Sequence, residues 1–353
     1  MMVLRRLLLS ILLLAGVSSV WGDSTLVHRV EADVVPSGIL QTNSFLREGG
    51  TSGEPMRTSI TLRLKYTQMQ GGQPSKVGAY HGIGIGCFFI NEQLGNPLTA
   101  YMVQGAPLVN LSRTVSLNYE LNLGFSFGWK AYDGENNQNN HVLGSRTNCY
   151  IGGDVYLRFR LGRHWDANIG YGYAHFSNAN LKMPNEGMHT MGGRMSVAYY
   201  FNRDSQEPRA SLLTAPSVPK GRRWVTDLVV YGGAKKKSME NPKTYGVGGF
   251  SVSPMYRLNE AFAIGPSLDG VYDNSVEDAL SLGSQLRAEL TMPVFRASGG
   301  VGYYYLGGLK CFYETLAFKI DVTRHLFLNI GYCLYNYNYT NNLMLGIGYR
   351  FGS

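Results

Sequence analysis

Much of this chain alternates with a period of two. In VYLRFRLG, Val155, Leu157, Phe159 and Leu161 share one face, with Asp154, Tyr156, Arg158 and Arg160 on the other, the pattern of a β-strand whose faces meet different surroundings. MSVAYYF repeats it, with Met195, Val197, Tyr199 and Phe201 against Arg194, Ser196, Ala198 and Tyr200. The closing LMLGIGYRF sets Leu343, Leu345, Ile347, Tyr349 and Phe351 against Met344, Gly346, Gly348 and Arg350. Small and charged residues opposite bulky apolar ones, with aromatics near strand ends, describe a lipid-facing exterior around a wet lumen better than a dry sandwich core.

The pattern predicts eight strands near residues 27–34, 58–66, 82–90, 101–108, 115–129, 149–161, 165–175 and 191–201. Eight more are expected near 224–234, 246–256, 261–272, 285–295, 300–305, 312–322, 326–334 and 343–351. Between the series lies NRDSQEPRASLLTAPSVPKGRR, a polar stretch with three prolines that reads as a linker or long loop over 204–222. The expected fold is therefore all-β, a transmembrane antiparallel barrel of the outer-membrane kind. Residues 23–203 and 223–353 form two halves related by a degenerate duplication. One barrel of about sixteen strands and two of about eight both fit. Segments long enough to span, and only one terminal aromatic assembly strand, favour the single barrel.

Composition agrees, with 44 glycines, 24 tyrosines and 15 phenylalanines but few charges, as barrels with aromatic girdles have. The opening MMVLRRLLLSILLLAGVSSVWG has two arginines, a short apolar run and small residues up to Gly22, which reads as a secretory signal peptide over 1–22. Beyond it no apolar run is long enough for a helical span. The formal net charge of +8 becomes about +6 once Arg5 and Arg6 leave with the signal. A basic exported protein suits the phosphates of lipopolysaccharide, and no nucleic-acid motif is present. Lys235, Lys236 and Lys237 are candidates to meet lipid phosphates, although a solvated loop is the plainer reading. Cys87, Cys149, Cys311 and Cys333 stand singly without zinc or thioredoxin spacing and read as packing residues. No metal or organic cofactor is called for.

Chemistry concentrates in HFSNANLKMPNEGMH, from His175 to His189. In the strand before it, Ile169, Tyr171, Tyr173, His175 and Ser177 share the bulky, lipid-facing side, and His189 has the parity of Met191 and Met195 on the next strand. His175, Ser177 and His189 are thus expected to converge on the outer face, where polar side chains are costly without a purpose. A serine becomes a nucleophile when a histidine takes its proton and a third group fixes that histidine's tautomer. Asn178 offers an amide to an oxyanion, and Asn180, tolerant of positive φ, can turn a backbone N–H to the same point. On the residues alone, SNAN and PNEG are equally ordinary turn sequences.

The stretch resembles the signature of the lipid A 3-O-deacylase (PagL) family, in His175-Phe176-Ser177-Asn178, the small residues after it and Pro184-Asn185-Glu186-Gly187. The run GIGIGCFFINEQLGNPLTAYMVQGAPLVNLSRTVSLNYELNLGFSFGWKAYD and the NNHVLGS stretch look like longer, Bacteroidetes-type members described as acyloxyacyl hydrolases. The resemblance implies an outer-membrane barrel and a serine esterase removing an ester-linked 3-hydroxyacyl chain from lipid A. It gives Ser177 as nucleophile, His175 as base, Asn178 on the oxyanion side and Asn185 in support. Where better-known members carry a glutamate to orient the histidine, this chain has His189, with Glu186 three residues earlier. A neutral histidine partner, a weaker dyad, or Glu186 bending inward are the alternatives. A non-catalytic pore or interaction barrel and an outer-membrane phospholipase remain rival functions, and a homodimer is left open. The second half ends in GYCLYNYNYTNNLMLGIGYRF, with neither histidine nor serine at the matching place.

Overall fold

In a computed structural model the protein is described over residues 26–50, 52–70, 80–203, 222–237, 239–241, 243–259, 261–291, 295–336 and 339–352. The signal-peptide segment and nearly all of the expected linker lie outside the described residues. Over the described residues the chain forms sixteen strands. The first eight are β1 (Leu26–Ile39), β2 (Thr58–Gln70), β3 (Tyr80–Phe89), β4 (Leu98–Asn110), β5 (Val115–Phe127), β6 (Thr147–Arg160), β7 (Trp165–Ser177) and β8 (Met188–Tyr200). The rest are β9 (Trp224–Lys236), β10 (Thr244–Arg257), β11 (Phe262–Asp273), β12 (Leu280–Thr291), β13 (Phe295–Gly307), β14 (Phe312–Asp321), β15 (Leu326–Tyr335) and β16 (Tyr339–Phe351). A five-residue helix, α1 (Ser44–Glu48), sits in the β1–β2 connection, capped by Asn43, whose side chain accepts from the Leu46 N–H.

Of the two arrangements open to the sequence, the chain takes two closed barrels, β1–β8 and β9–β16, and not the favoured single one. The first closes as β1 pairs with β8, Asp33 opposite Ser196; the second closes as β9 pairs with β16, Val230 opposite Ile347. Strand length and a single terminal assembly strand do not separate the cases, because closure depends on which strands pair at the seam. Phe295, expected to end a strand, opens β13 instead.

Alternation in the sequence becomes inside and outside. Outward residues such as Ile60, Leu62, Ile169, Met195, Val197, Val230, Leu286 and Ile347 are exposed, while their polar neighbours are buried. An eight-stranded barrel has an interior just wide enough for its own side chains, so the expected wet lumen is instead packed with ion pairs. In the first barrel Arg29, Arg63, Lys65 and Arg194 face Glu31, Asp33, Glu120 and Asp154, four cations against four carboxylates. Arg63 grips Asp154 through two nitrogens, each at 3.0 Å, and Lys65 lies 2.8 Å from Glu120. In the second barrel, Asp227 and Glu289 are ringed by Arg296, Lys319 and Arg350, at distances from 2.6 to 3.3 Å. Lys235 turns inward to Asp273 at 2.6 Å and does not join Lys236 and Lys237 as a candidate phosphate contact.

The two barrels match in detail. Arg163-His164 with Asn168-Ile169-Gly170-Tyr171 in β7 is matched by Arg324-His325 with Asn329-Ile330-Gly331-Tyr332 in β15. In both barrels the histidine before the strand stacks on a tyrosine of the last strand, His164 on Tyr199 at 5.7 Å and His325 on Tyr349 at 5.6 Å. In each case the histidine Nδ1 also meets a backbone carbonyl of that strand, Tyr200 or Arg350. The barrels touch through their outer faces, where Leu123 and its neighbours Met102, Tyr119, Leu121 and Ile151 pack with Phe295, Phe318 and Ile320. All four cysteines are free thiols.

Candidate active site

The last residues of β7 alternate between locking the strand and presenting chemistry. Phe176 points inward and is fully buried between Phe88, Trp129 and Tyr150, with ring centroids 4.8, 4.9 and 5.4 Å away. That aromatic plug fixes the strand end on which His175 and Ser177 are carried, both on the outer face. His189 lies directly across from His175 in the β7–β8 ladder, so the expected convergence of two histidines is a register pair.

Their Nδ1 atoms are 3.2 Å apart and the rings 4.5 Å centroid to centroid. Tyr173, two residues earlier on the same face, brings its hydroxyl to 2.7 Å from the same His189 nitrogen. If the His189 Nδ1 lone pair accepts, both the Tyr173 O–H and the His175 Nδ1–H donate to it. That tautomer leaves the His175 Nε2 with a free lone pair. Glu186 is exposed on the loop. Desolvation raises its carboxyl above the ordinary range, and His141 and Arg47 pull it back down, so its electrostatic partners lie away from His175.

After Ser177 the chain turns through two consecutive left-handed residues, Ala179 at φ 55° and Asn180 at φ 62°. For a residue with a Cβ this costs roughly 1–2 kcal/mol, and such strain gathers where a loop must aim its atoms. Here the turn aims the Ala179 N–H at Ser177 Oγ, 3.1 Å away. Asn185 Nδ2 donates to the same oxygen at 2.9 Å and to Asn180 Oδ1 at 3.0 Å, while Asn185 Oδ1 accepts from the Asn178 N–H at 2.9 Å. Ser177 Oγ therefore accepts two N–H donors, which favours any negative charge that develops on it.

Asn178 is oriented differently from the expectation of a free amide. Its Nδ2 donates to Ser145 Oγ at 3.1 Å and to the Lys182 carbonyl at 2.8 Å, and its Oδ1 accepts from the Lys182 N–H at 3.3 Å. Asn178 thus clamps the site loop to the β5–β6 connection. That connection also accepts from the Glu186 and Gly187 N–H groups through the carbonyls of His141 and Val142. The approach needs Gly144, where a Cβ would stand 2.5 Å from the Met183 carbonyl oxygen.

The structure places the six residues named from the sequence at one end of β7 and β8 in two hydrogen-bonded groups, His175 with His189 and Ser177 with Asn178, Asn180 and Asn185, and no hydrogen bond joins His175 to Ser177. Sequence reading missed Tyr173, whose parity was available, and Ser145, which no local pattern marks. Among the described residues no group of histidine, cysteine or carboxylate side chains is placed to hold a metal ion.

A barrel rim that carries a serine on the outer side of its strand, buried and held by two N–H donors close to paired histidines, defines a site of the membrane-barrel class. Family models agree with that class. Residues 60–198 match lipid A 3-O-deacylase (PagL), and residues 224–353 match the acyloxyacyl hydrolase C-terminal domain. The chain belongs to the lipid A 3-O-deacylase (PagL) family, with the second barrel as its C-terminal domain. Among solved structures it is similar to the outer membrane enzyme PagL, at 18% identity and TM-score 0.31 over 48% of this chain and 97% of that one. It is also similar to a mutant Rh. blastica porin, at 7% identity and TM-score 0.18 over 92% of this chain and all of that one. No curated protein matches the chain.

Proposed function

We propose that the protein is an outer-membrane serine esterase that removes an ester-linked 3-hydroxyacyl chain, at the 3-O or 3'-O position, from lipid A of lipopolysaccharide. The observation that carries this is the Ser177 hydroxyl, held by the Ala179 and Asn185 N–H groups on the apolar outer face of a closed barrel and flanked by His175 and His189. A lipid substrate travels in the plane of the membrane, so its ester reaches a site on the wall without entering the barrel.

In the reaction, Ser177 Oγ bonds to the ester carbonyl carbon as its proton passes to His175 Nε2, and the carbonyl π pair moves onto oxygen. Collapse of that intermediate breaks the bond to the lipid A oxygen, which takes the proton back from His175. Water, activated by His175 in turn, releases the acyl chain from Ser177. His189 accepts the His175 Nδ1–H and so keeps Nε2 basic, but as a neutral ring it contributes less than a carboxylate to the imidazolium that forms. For Asn178 to stabilise the oxyanion it must exchange its bond to Ser145 or Lys182 for one to substrate. The packed ion pairs of both interiors argue against the rival pore.

Lipid A mass spectrometry on cells expressing the wild type or Ser177→Ala tests the proposal. The expected result is one fewer acyl chain with the wild type and intact lipid A with the variant. Equal acyl numbers would sink the deacylase reading, and glycerophospholipid cleavage abolished by the same substitution would replace it with a phospholipase.

A further inference from the structure

Positive charge gathers where the two barrels meet. β9 is paired with β16 as far as Gly232, opposite Leu345, and beyond that point its edge meets the first barrel. The Lys236 N–H there donates at 2.9 Å to the carbonyl of Asn180, the second left-handed residue of the site loop. Two further contacts hold the barrels in place. The Phe295 N–H donates to Gln104 Oε1 at 3.3 Å, and the apolar cluster around Leu123, Phe295 and Phe318 packs one outer face on the other.

This junction sets two ammonium groups on the loop that follows Ser177. In β9, Lys235 turns inward to Asp273, 2.6 Å away, so alternation turns Lys236 to the outer face, that of the exposed Leu228 and Val230. On the site loop, Asn178 grips the Lys182 backbone twice, at 2.8 Å through the carbonyl and 3.3 Å through the N–H. Leu181 and Lys182 are both exposed at that fixed point. Among the described residues neither Lys182 nor Lys236 has a carboxylate within ion-pair distance. Lys237 is committed elsewhere, its Nζ lying 3.5 Å from the Ser275 carbonyl. Unpaired cations above an apolar wall suit a ligand with an anionic head and acyl chains.

We infer that the junction of the two barrels binds a phosphate of the lipid A headgroup, with Lys236 of the second barrel and Lys182 of the site loop as its cationic ligands. The inference rests on lipid A as the substrate of Ser177. With acyl chains against the wall and the phosphate held at the rim, the ester is oriented across the serine, so the lysines select the substrate and its direction together. Lysine suits this role because its ammonium meets phosphate as a point charge on a flexible stem. The second barrel thereby supplies one of the two charges.

The test measures kcat/KM of the purified full chain in mixed micelles, on lipid A and on the same lipid A stripped of phosphate by a phosphatase. Wild type is compared with Lys182→Gln, Lys236→Gln and Lys237→Gln. Glutamine at position 236 keeps the backbone N–H that docks on Asn180, so the barrels stay joined. The expected result is a wild-type preference for the phosphorylated lipid that falls about tenfold in Lys182→Gln and in Lys236→Gln, the worth of one charge-assisted hydrogen bond, through a rise in KM. Lys237→Gln should keep the wild-type preference. An unchanged preference in Lys182→Gln or Lys236→Gln, an equal loss on both lipids, or the same fall in Lys237→Gln would overturn the phosphate site. No acyl release from either lipid by the wild type would instead overturn the deacylase reading, so the two failures are distinguishable.

Discussion

The strand pairs β7–β8 and β15–β16 start alike and end differently. Both open with an arginine–histidine pair and an Asn-Ile-Gly-Tyr step, and both stack that histidine on a tyrosine of the last strand. Further along, the first pair presents Tyr173, His175 and Ser177, where the aligned sequence positions of the second hold Leu334, Asn336 and Asn338. Each interior is filled by its own ion cluster, so the ion pairs and the candidate site occupy separate layers of the wall. The inner layer is kept in both copies, and the outer rim is free to differ. The difference teaches that the outward rim can diverge between two barrels whose interiors are both filled by ion pairs.

The largest effect should come from removing the feature only the first pair has. Ser177→Ala should lower deacylation by about 10³-fold or more, as losses of a nucleophile do, with the melting temperature unchanged. A fall in melting temperature equal to that of an interior variant would erase the separation of layers. The converse variant is Asp227→Ala, which leaves Lys319, Arg350 and Arg296 without a main counter-charge. Its expected cost is about 3–5 kcal/mol of stability, read by thermal unfolding in detergent, with Ser177 chemistry retained below the transition.

Smaller effects sharpen the picture of the rim. Asn185→Ala removes a donor to Ser177 Oγ and the acceptor of the Asn178 N–H together, and kcat should fall about 100-fold; an unchanged kcat would mean the loop holds Ser177 without it. His189→Glu places a carboxylate opposite His175 in the ladder, where it can stabilise the imidazolium. Turnover should rise about tenfold, the worth of one charge-assisted hydrogen bond. An inactive variant would show that the imidazole of His189, held by Tyr173, has a role a carboxylate cannot fill.

Much of this was legible in the chain because a barrel wall writes its two faces into alternate residues. The sixteen strands and the outward parity of His175, Ser177 and His189 could be read from period two, and the lack of a histidine or serine at the matching place of the second half from the residues themselves. Seam pairing could not, since β8 meeting β1 and not β9 is decided by closure between distant strands. The packed interior was misread as wet because alternation reports polarity, whereas the space available follows from strand number. At the site, Asn178 looked like a free amide donor until the loop folded back and supplied Ser145 and the Lys182 carbonyl as its partners.

The central claim is that the chemistry of this chain resides in the outward-facing serine at the end of β7. Labelling the intact protein with a fluorophosphonate, followed by peptide mass spectrometry, tests it most directly. The expected result is a single phosphonylated residue, Ser177, with labelling lost in His175→Ala. Labelling at another residue, or none in the folded wild type, would contradict it.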